Sequence, residues 1–189
     1  SSWNTSMEGK NLAELCIERN LEPSPYNAAI VVFEIIKGGG ATAVYHAINS
    51  DDVDRIMQHP MTSIASDGPI TVFNVGSPHP RTYGTFARVL GRYVRDRNIL
   101  TLEEAIRKMT SLPAHILSIN KRGLLREGYY ADITIFDPET VIDKATFVDP
   151  HQYAVGINTV LVNGVIVVEN GLHNGNRPGR VLRGPGYNL

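Results

Sequence analysis

Apolar side chains recur at helical spacing after Ser24-Pro25, at Tyr26, Ala29, Ile30, Phe33 and Ile36. Serine as an N-cap with proline at the first helical position predicts a helix that starts there, and Gly38-Gly39-Gly40 predicts where it stops. Residues 41–48 form a short apolar run between those glycines and Asn49-Ser50-Asp51, which predicts a buried strand feeding a capped helix with Val53, Ile56 and Met57. A second short apolar run, 61–65, follows His59-Pro60 and ends at Ser66-Asp67-Gly68, predicting a second strand. Strand, helix and strand with connections this short predict a right-handed crossover in a parallel sheet, the repeating unit of α/β folds and barrels.

Beyond Asp67 the periodicity lapses through Pro69, Pro78 and Pro80 until Phe86, Val89, Leu90, Tyr93 and Val94 predict an amphipathic helix. A proline-rich loop of this length inside a compact domain points to function. Thr101-Leu102-Glu103-Glu104 fits a capping box ahead of Ala105, Ile106 and Met109, and Ser111 with Pro113 opens another short helix. Near Gly123 the texture changes. Ala131, Ile133 and Ile135 alternate with Asp132, Thr134 and Phe136, and two apolar runs flank Asn163-Gly164, a strong two-residue hairpin signal. The expected organisation is therefore α/β over residues 1–122 and a small antiparallel β-module over 123–189, with a loose Gly-, Asn- and Arg-rich tail from His173.

Composition narrows the partners. The 189 residues are 42% hydrophobic and carry 18 Lys and Arg against 19 Asp and Glu, with no basic stripe, so neither nucleic acid nor an anionic membrane surface is an expected partner. No apolar stretch is long enough for a spanning helix. The single cysteine, Cys16, excludes an intramolecular disulfide framework, suits a reducing, cytoplasmic setting, and reads as a packed core thiol.

Two places could carry chemistry. In parallel α/β sheets the reactive groups stand at the C-terminal strand ends, and Asp67 is at such an end, although Ser66-Asp67-Gly68 is equally readable as a turn. His79-Pro80-Arg81 with Tyr83-Gly84 lies on the loop that Asp67 opens. Arginine's rigid fork pairs with a carboxylate through two parallel bonds, so Arg81 could hold an acidic group; a surface arginine beside an X-Pro turn is the plainer alternative. The histidines His46, His59, His115, His151 and His173 stand singly and read as structural or solvated. There is no His-x-His, H-E-x-x-H or Cys-x-x-Cys, hence no self-contained metal motif.

In this order, several segments resemble the N-acyl-D-amino-acid deacylase (D-aminoacylase) family of the amidohydrolase superfamily. They are Asn11-Leu12-Ala13-Glu14, Ser50-Asp51-Asp52-Val53, Ser66-Asp67-Gly68, His79-Pro80-Arg81 with Tyr83-Gly84-Thr85-Phe86, Glu104 to Thr110, Gly128-Tyr129-Tyr130-Ala131-Asp132 and Val162-Asn163-Gly164. The resemblance implies the C-terminal part of a metal-dependent β/α (TIM) barrel, followed by strands of a small β-sandwich domain. It implies zinc as cofactor, with Asp67 as the one candidate metal contact here and the other ligands upstream, and an N-acyl-D-amino acid as substrate. The rest of the barrel would then be a partner of these residues. Asp67 would be the acid/base group, Arg81 would hold the substrate carboxylate, and His79 and Tyr83 would be secondary polar contacts. By the same comparison the isolated chain should be inactive. A hydantoinase- or dihydroorotase-like hydrolase would keep Asp67 without needing His79-Pro80-Arg81, and a non-catalytic structural module would need neither.

Overall fold

The structure, a computed structural model, describes residues 5–187. They divide into two compact units, split between Ala47 and Ile48. In the first, helix α1 (Leu12–Glu18) opens on a complete capping box. The Asn11 side chain accepts from the Glu14 N–H at 3.0 Å, and the Glu14 carboxylate accepts from the Asn11 N–H at 2.8 Å. Helix α2 (Pro25–Lys37) starts where the Ser24-Pro25 signal places it, with Ser24 Oγ accepting from the Asn27 N–H. Its buried face differs from the expected one. Val31, with Ala28 and Ile35, packs against Leu15 and Cys16, while Tyr26, Phe33 and Ile36 are exposed. Apolar residues surround most of this helix, so periodicity alone selects no single stripe. Cys16 is a fully buried free thiol, as expected.

The two predicted parallel strands do not form: residues 41–48 and 61–65 are irregular. A short apolar run becomes a strand only by pairing with a neighbour. The second run is held by a helix instead. The Ile64 N–H donates to the Lys108 carbonyl at 3.0 Å, and the fully buried Lys108 ammonium donates to the carbonyls of His59 and Thr62. Lys108 Nζ also lies 3.5 Å from Glu104, so the buried charge is paired and hydrogen-bonded, as burial of an ammonium requires.

The second unit carries helices α3 (Ser50–Gln58), α4 (Arg81–Arg88), α5 (Leu102–Met109) and α6 (Ser111–Ile116), and strands β1 (Ile133–Phe136), β2 (Ile157–Val162), β3 (Val165–Glu169) and β4 (Leu172–His173). The helix expected around Phe86 begins five residues earlier, at Arg81, and continues as a π-helical segment, Val89–Asp96. Thr101 caps α5 by accepting from the Glu104 N–H, but the Glu104 carboxylate turns to Arg107, so only half of the expected capping box forms.

The sheet is antiparallel in the order β1-β2-β3-β4. Asn163 and Gly164 both adopt positive φ, 50° and 80°, the two-residue turn that Asn-Gly favours. Asn170 and Gly171 make a second such turn, which leads into strand β4, whose last residue, His173, is where the tail expected to be loose begins. A register shift between Ile135 and Phe136 breaks the expected alternation of β1. Phe136 thereby packs with Ala87, Leu90 and Val141, and this cluster seats α4 on the β-module. Arg88 reinforces the seat by donating to Asp143 at 2.6 Å. No helix among the described residues is long and apolar enough to cross a membrane.

Candidate active site

Asp67 and Arg81 are fourteen positions apart in sequence, and the fold brings them together: Arg81 Nη2 and Asp67 Oδ2 form an ion pair at 3.0 Å. The Asp67 side chain is 86% exposed and that of Arg81 43%. An ion pair this exposed contributes about 0–1 kcal/mol, too little to hold two backbone segments together. The backbone does that. A Cβ on Gly68 would lie 2.9 Å from Thr82 Cα, 3.0 Å from the Arg81 carbonyl oxygen and 3.1 Å from Thr82 N. Gly68 therefore rests directly on the first turn of α4, and only glycine permits so close an approach. The Gly68 N–H donates to Ser66 Oγ, and Asp67 adopts φ 48°, a left-handed conformation that aspartate tolerates better than most residues. The turn reading of Ser66-Asp67-Gly68 is thus correct as geometry, and that turn aims Asp67 at Arg81.

His79 precedes the helix. Its Nδ1 accepts from the Arg81 N–H at 3.1 Å, which in the neutral ring puts the proton on Nε2. Partial burial pushes the His79 imidazolium pKa below its ordinary value, and the adjacent Arg81 charge pushes it the same way. The ring meets Phe147 edge-on, with centroids 4.9 Å apart. His79 is thereby a neutral N–H donor beside a fixed cation.

Tyr83, on the same first turn, is engaged elsewhere. Its hydroxyl pairs with His151 Nδ1 at 2.9 Å and lies 3.5 Å from Thr71 Oγ1, and its ring packs edge-on against Phe73, His151 and Tyr153. Between Arg81 and Tyr83, the buried Thr82 hydroxyl has no partner among the described residues. His151 and Phe73, with Thr71, Phe147 and Tyr153, are participants that sequence reasoning missed. None belongs to a motif, and His151 meets Tyr83 across 68 residues.

No three His, Cys, Asp or Glu side chains converge as a metal site among the described residues. Asp67 is one exposed carboxylate, so these residues offer a metal one contact and do not by themselves fit a zinc ion.

Residues 36–168 match the amidohydrolase family. The chain is 46% identical over 143 residues to an N-acyl-D-glutamate deacylase of Alcaligenes xylosoxydans xylosoxydans, covering 76% of this chain and 28% of that protein. It is 42% identical over 176 residues to the D-aminoacylase of the same organism, covering 93% of this chain and 34% of the relative. A crystal structure of the N-acyl-D-glutamate deacylase from Bordetella bronchiseptica, complexed with zinc and a phosphonate mimic of the tetrahedral intermediate, superimposes with a TM-score of 0.82 at 40% identity, covering 97% of this chain and 36% of that one. The chain thus spans about a third of the length of these relatives. The family match covers most of the chain, so the chain belongs to the amidohydrolase family, and the relatives and the solved structure it is similar to are D-amino-acid deacylases.

Proposed function

We propose that these residues form the Asp67–Arg81 side of an active site that hydrolyses N-acyl-D-amino acids to a carboxylate and a free D-amino acid. The observation that carries the reading is the enforced proximity of one carboxylate and one guanidinium, 3.0 Å apart at the N-terminus of α4. Arg81 presents its fork to the α-carboxylate of the substrate, and charge-assisted bidentate pairing fixes that group's orientation. Asp67 then stands beside the scissile amide. It takes a proton from the attacking water and returns it to the departing amine. Anchoring the carboxylate and the amide fixes two of the four substituents at the stereocentre, and a third contact, to the substrate side chain, completes the choice of the D hand. His79, held neutral, donates its Nε2–H at the rim of the same site. Zinc, when bound, lowers the pKa of the attacking water to roughly 7 and polarises the carbonyl. In this proposal Asp67 is its one contact here, and its other ligands come from outside these residues.

The test is Asp67→Asn in the complete gene product assayed with zinc. Loss of an acid/base group should lower kcat by roughly 10²–10⁴-fold with the melting temperature little changed. A near-normal kcat would reduce Asp67 to a turn residue.

A further inference from the structure

Residues 68–80 run from Asp67 to α4, and one side chain from a distant segment holds their middle. His151 Nε2 meets the Gly76 carbonyl at 2.9 Å, while His151 Nδ1 meets the Asn74 N–H at 3.1 Å and the Tyr83 hydroxyl at 2.9 Å. The partners fix the tautomer. A carbonyl can only accept, so Nε2 carries the hydrogen; a backbone N–H can only donate, so Nδ1 offers its lone pair. The Tyr83 hydroxyl donates toward that same lone pair. Around these bonds the Phe73 ring packs edge-on to His151 and Tyr83 and stacks on Tyr153 at 5.0 Å, so the loop's one phenylalanine is clasped on three sides.

Tyr83 stands two residues after Arg81 in the first turn of α4, and His79, next to last in the loop, accepts from the Arg81 N–H. A ring that ties the loop backbone at residues 74 and 76 to Tyr83 therefore fixes both approaches to Arg81, from the loop side and from the helix side. We propose that His151 is a positioning residue for substrate binding, acting through Tyr83 and the 68–80 loop to hold the Arg81 fork where it meets the carboxylate. The role rests on Arg81 being the carboxylate site. It predicts that His151 variants impair binding of the carboxylate end and leave the proton transfers at Asp67 largely intact.

The three bonds can be dissected. His151→Asn keeps an acceptor near the Nδ1 position and loses the Nε2 donor, His151→Gln keeps a donor near Nε2 and loses the acceptor, and His151→Phe keeps only a ring. In the complete gene product, His151→Phe should raise KM for an N-acyl-D-amino acid about tenfold or more with kcat within about threefold, consistent with loss of more than one hydrogen bond. Tyr83→Phe should act in the same direction, more weakly. The double variant should be no worse than His151→Phe alone, because both act through one contact. Amide exchange at Asn74 supplies a readout independent of turnover: protection should be lost in His151→Phe and His151→Gln and largely kept in His151→Asn. Unchanged Asn74 exchange in His151→Phe would overturn the latch even if the enzyme showed no deacylase activity. Lost protection with unchanged KM in an active enzyme would overturn its role in substrate binding while leaving the deacylase reading intact.

Discussion

Gly68→Ala probes the backbone contact that brings the two halves of the site together. The added methyl would enter at 2.9–3.1 Å from Thr82 Cα, Thr82 N and the Arg81 carbonyl oxygen, all backbone atoms of the first turn of α4. A main chain cannot swing aside as a side-chain tip can, so the Asp67 turn or the helix start must retreat by roughly half an ångström or more to restore ordinary contact. The Asp67–Arg81 distance, 3.0 Å in the native arrangement, should open accordingly. Overpacking of this kind costs about 1–3 kcal/mol, and for a chain of this size each kcal/mol lowers Tm by roughly 2–4 °C. Catalysis should suffer more than stability, because misplacement of reacting groups by about 1 Å costs on the order of 10²-fold. Steady-state kinetics of the complete gene product on N-acyl-D-amino acids, measured well below the melting transition, should therefore show kcat/KM reduced by about ten- to a hundredfold alongside a shift of a few degrees. Wild-type kinetics and melting in Gly68→Ala would refute the argument that this contact sets the site.

Two further consequences are local. Thr82→Val removes a buried hydroxyl that has no partner among the described residues and keeps its shape, so thermal melts should show it neutral or stabilising by up to about 1 kcal/mol; a clear loss would mean that the hydroxyl is bonded in solution. Glu104, which accepts two bonds from Arg107 and lies beside Lys108, has its pKa lowered from 4.5 to about 2, the Arg107 bonds being the largest cause. A carboxyl with a depressed folded pKa contributes stability above its unfolded value and loses it as pH falls toward the folded one. Acid melts should thus show wild type losing its advantage over Glu104→Gln between about pH 4.5 and pH 2; parallel curves across that window would contradict the pairing.

The sequence carried local structure well where one dipeptide or cap decides the backbone. Ser24-Pro25 marked the start of α2, and Asn163-Gly164 marked the β2–β3 turn, because each requirement is met within three or four residues. Asn170-Gly171 held the same signal just before the stretch read as a loose tail, and the two-residue strand it leads into is too short to show alternation. The runs 41–48 and 61–65 illustrate the opposite case. An apolar run specifies burial, but whether it becomes a strand depends on partners that local pattern does not name. At the site, Asp67, His79 and Arg81 stood out through their motif order. The Gly68 contact, the Thr82 hydroxyl and the His151 clasp did not, since each depends on which distant backbone or ring arrives beside it. Tyr83 shows the limit most clearly: its motif pointed to substrate, and its hydroxyl is bonded to a histidine 68 residues away.

The central claim is that Arg81 recognises the substrate carboxylate, and Arg81→Lys in the complete gene product tests it most directly. Lysine keeps the charge and loses the planar fork, so the loss should exceed what conservation of charge suggests. Losing a charge-assisted hydrogen bond costs about 1.5–3 kcal/mol, which corresponds to a fall in kcat/KM of roughly ten- to a few hundredfold for N-acyl-D-amino acids. Analogues with a carboxamide in place of the carboxylate supply the control, measured on the same two proteins. Wild type and Arg81→Lys should process them with similar, poor efficiency, and the melting temperature should barely move. An equal loss on acid and amide substrates, or unfolding of the variant, would contradict the assignment and make Arg81 a structural residue.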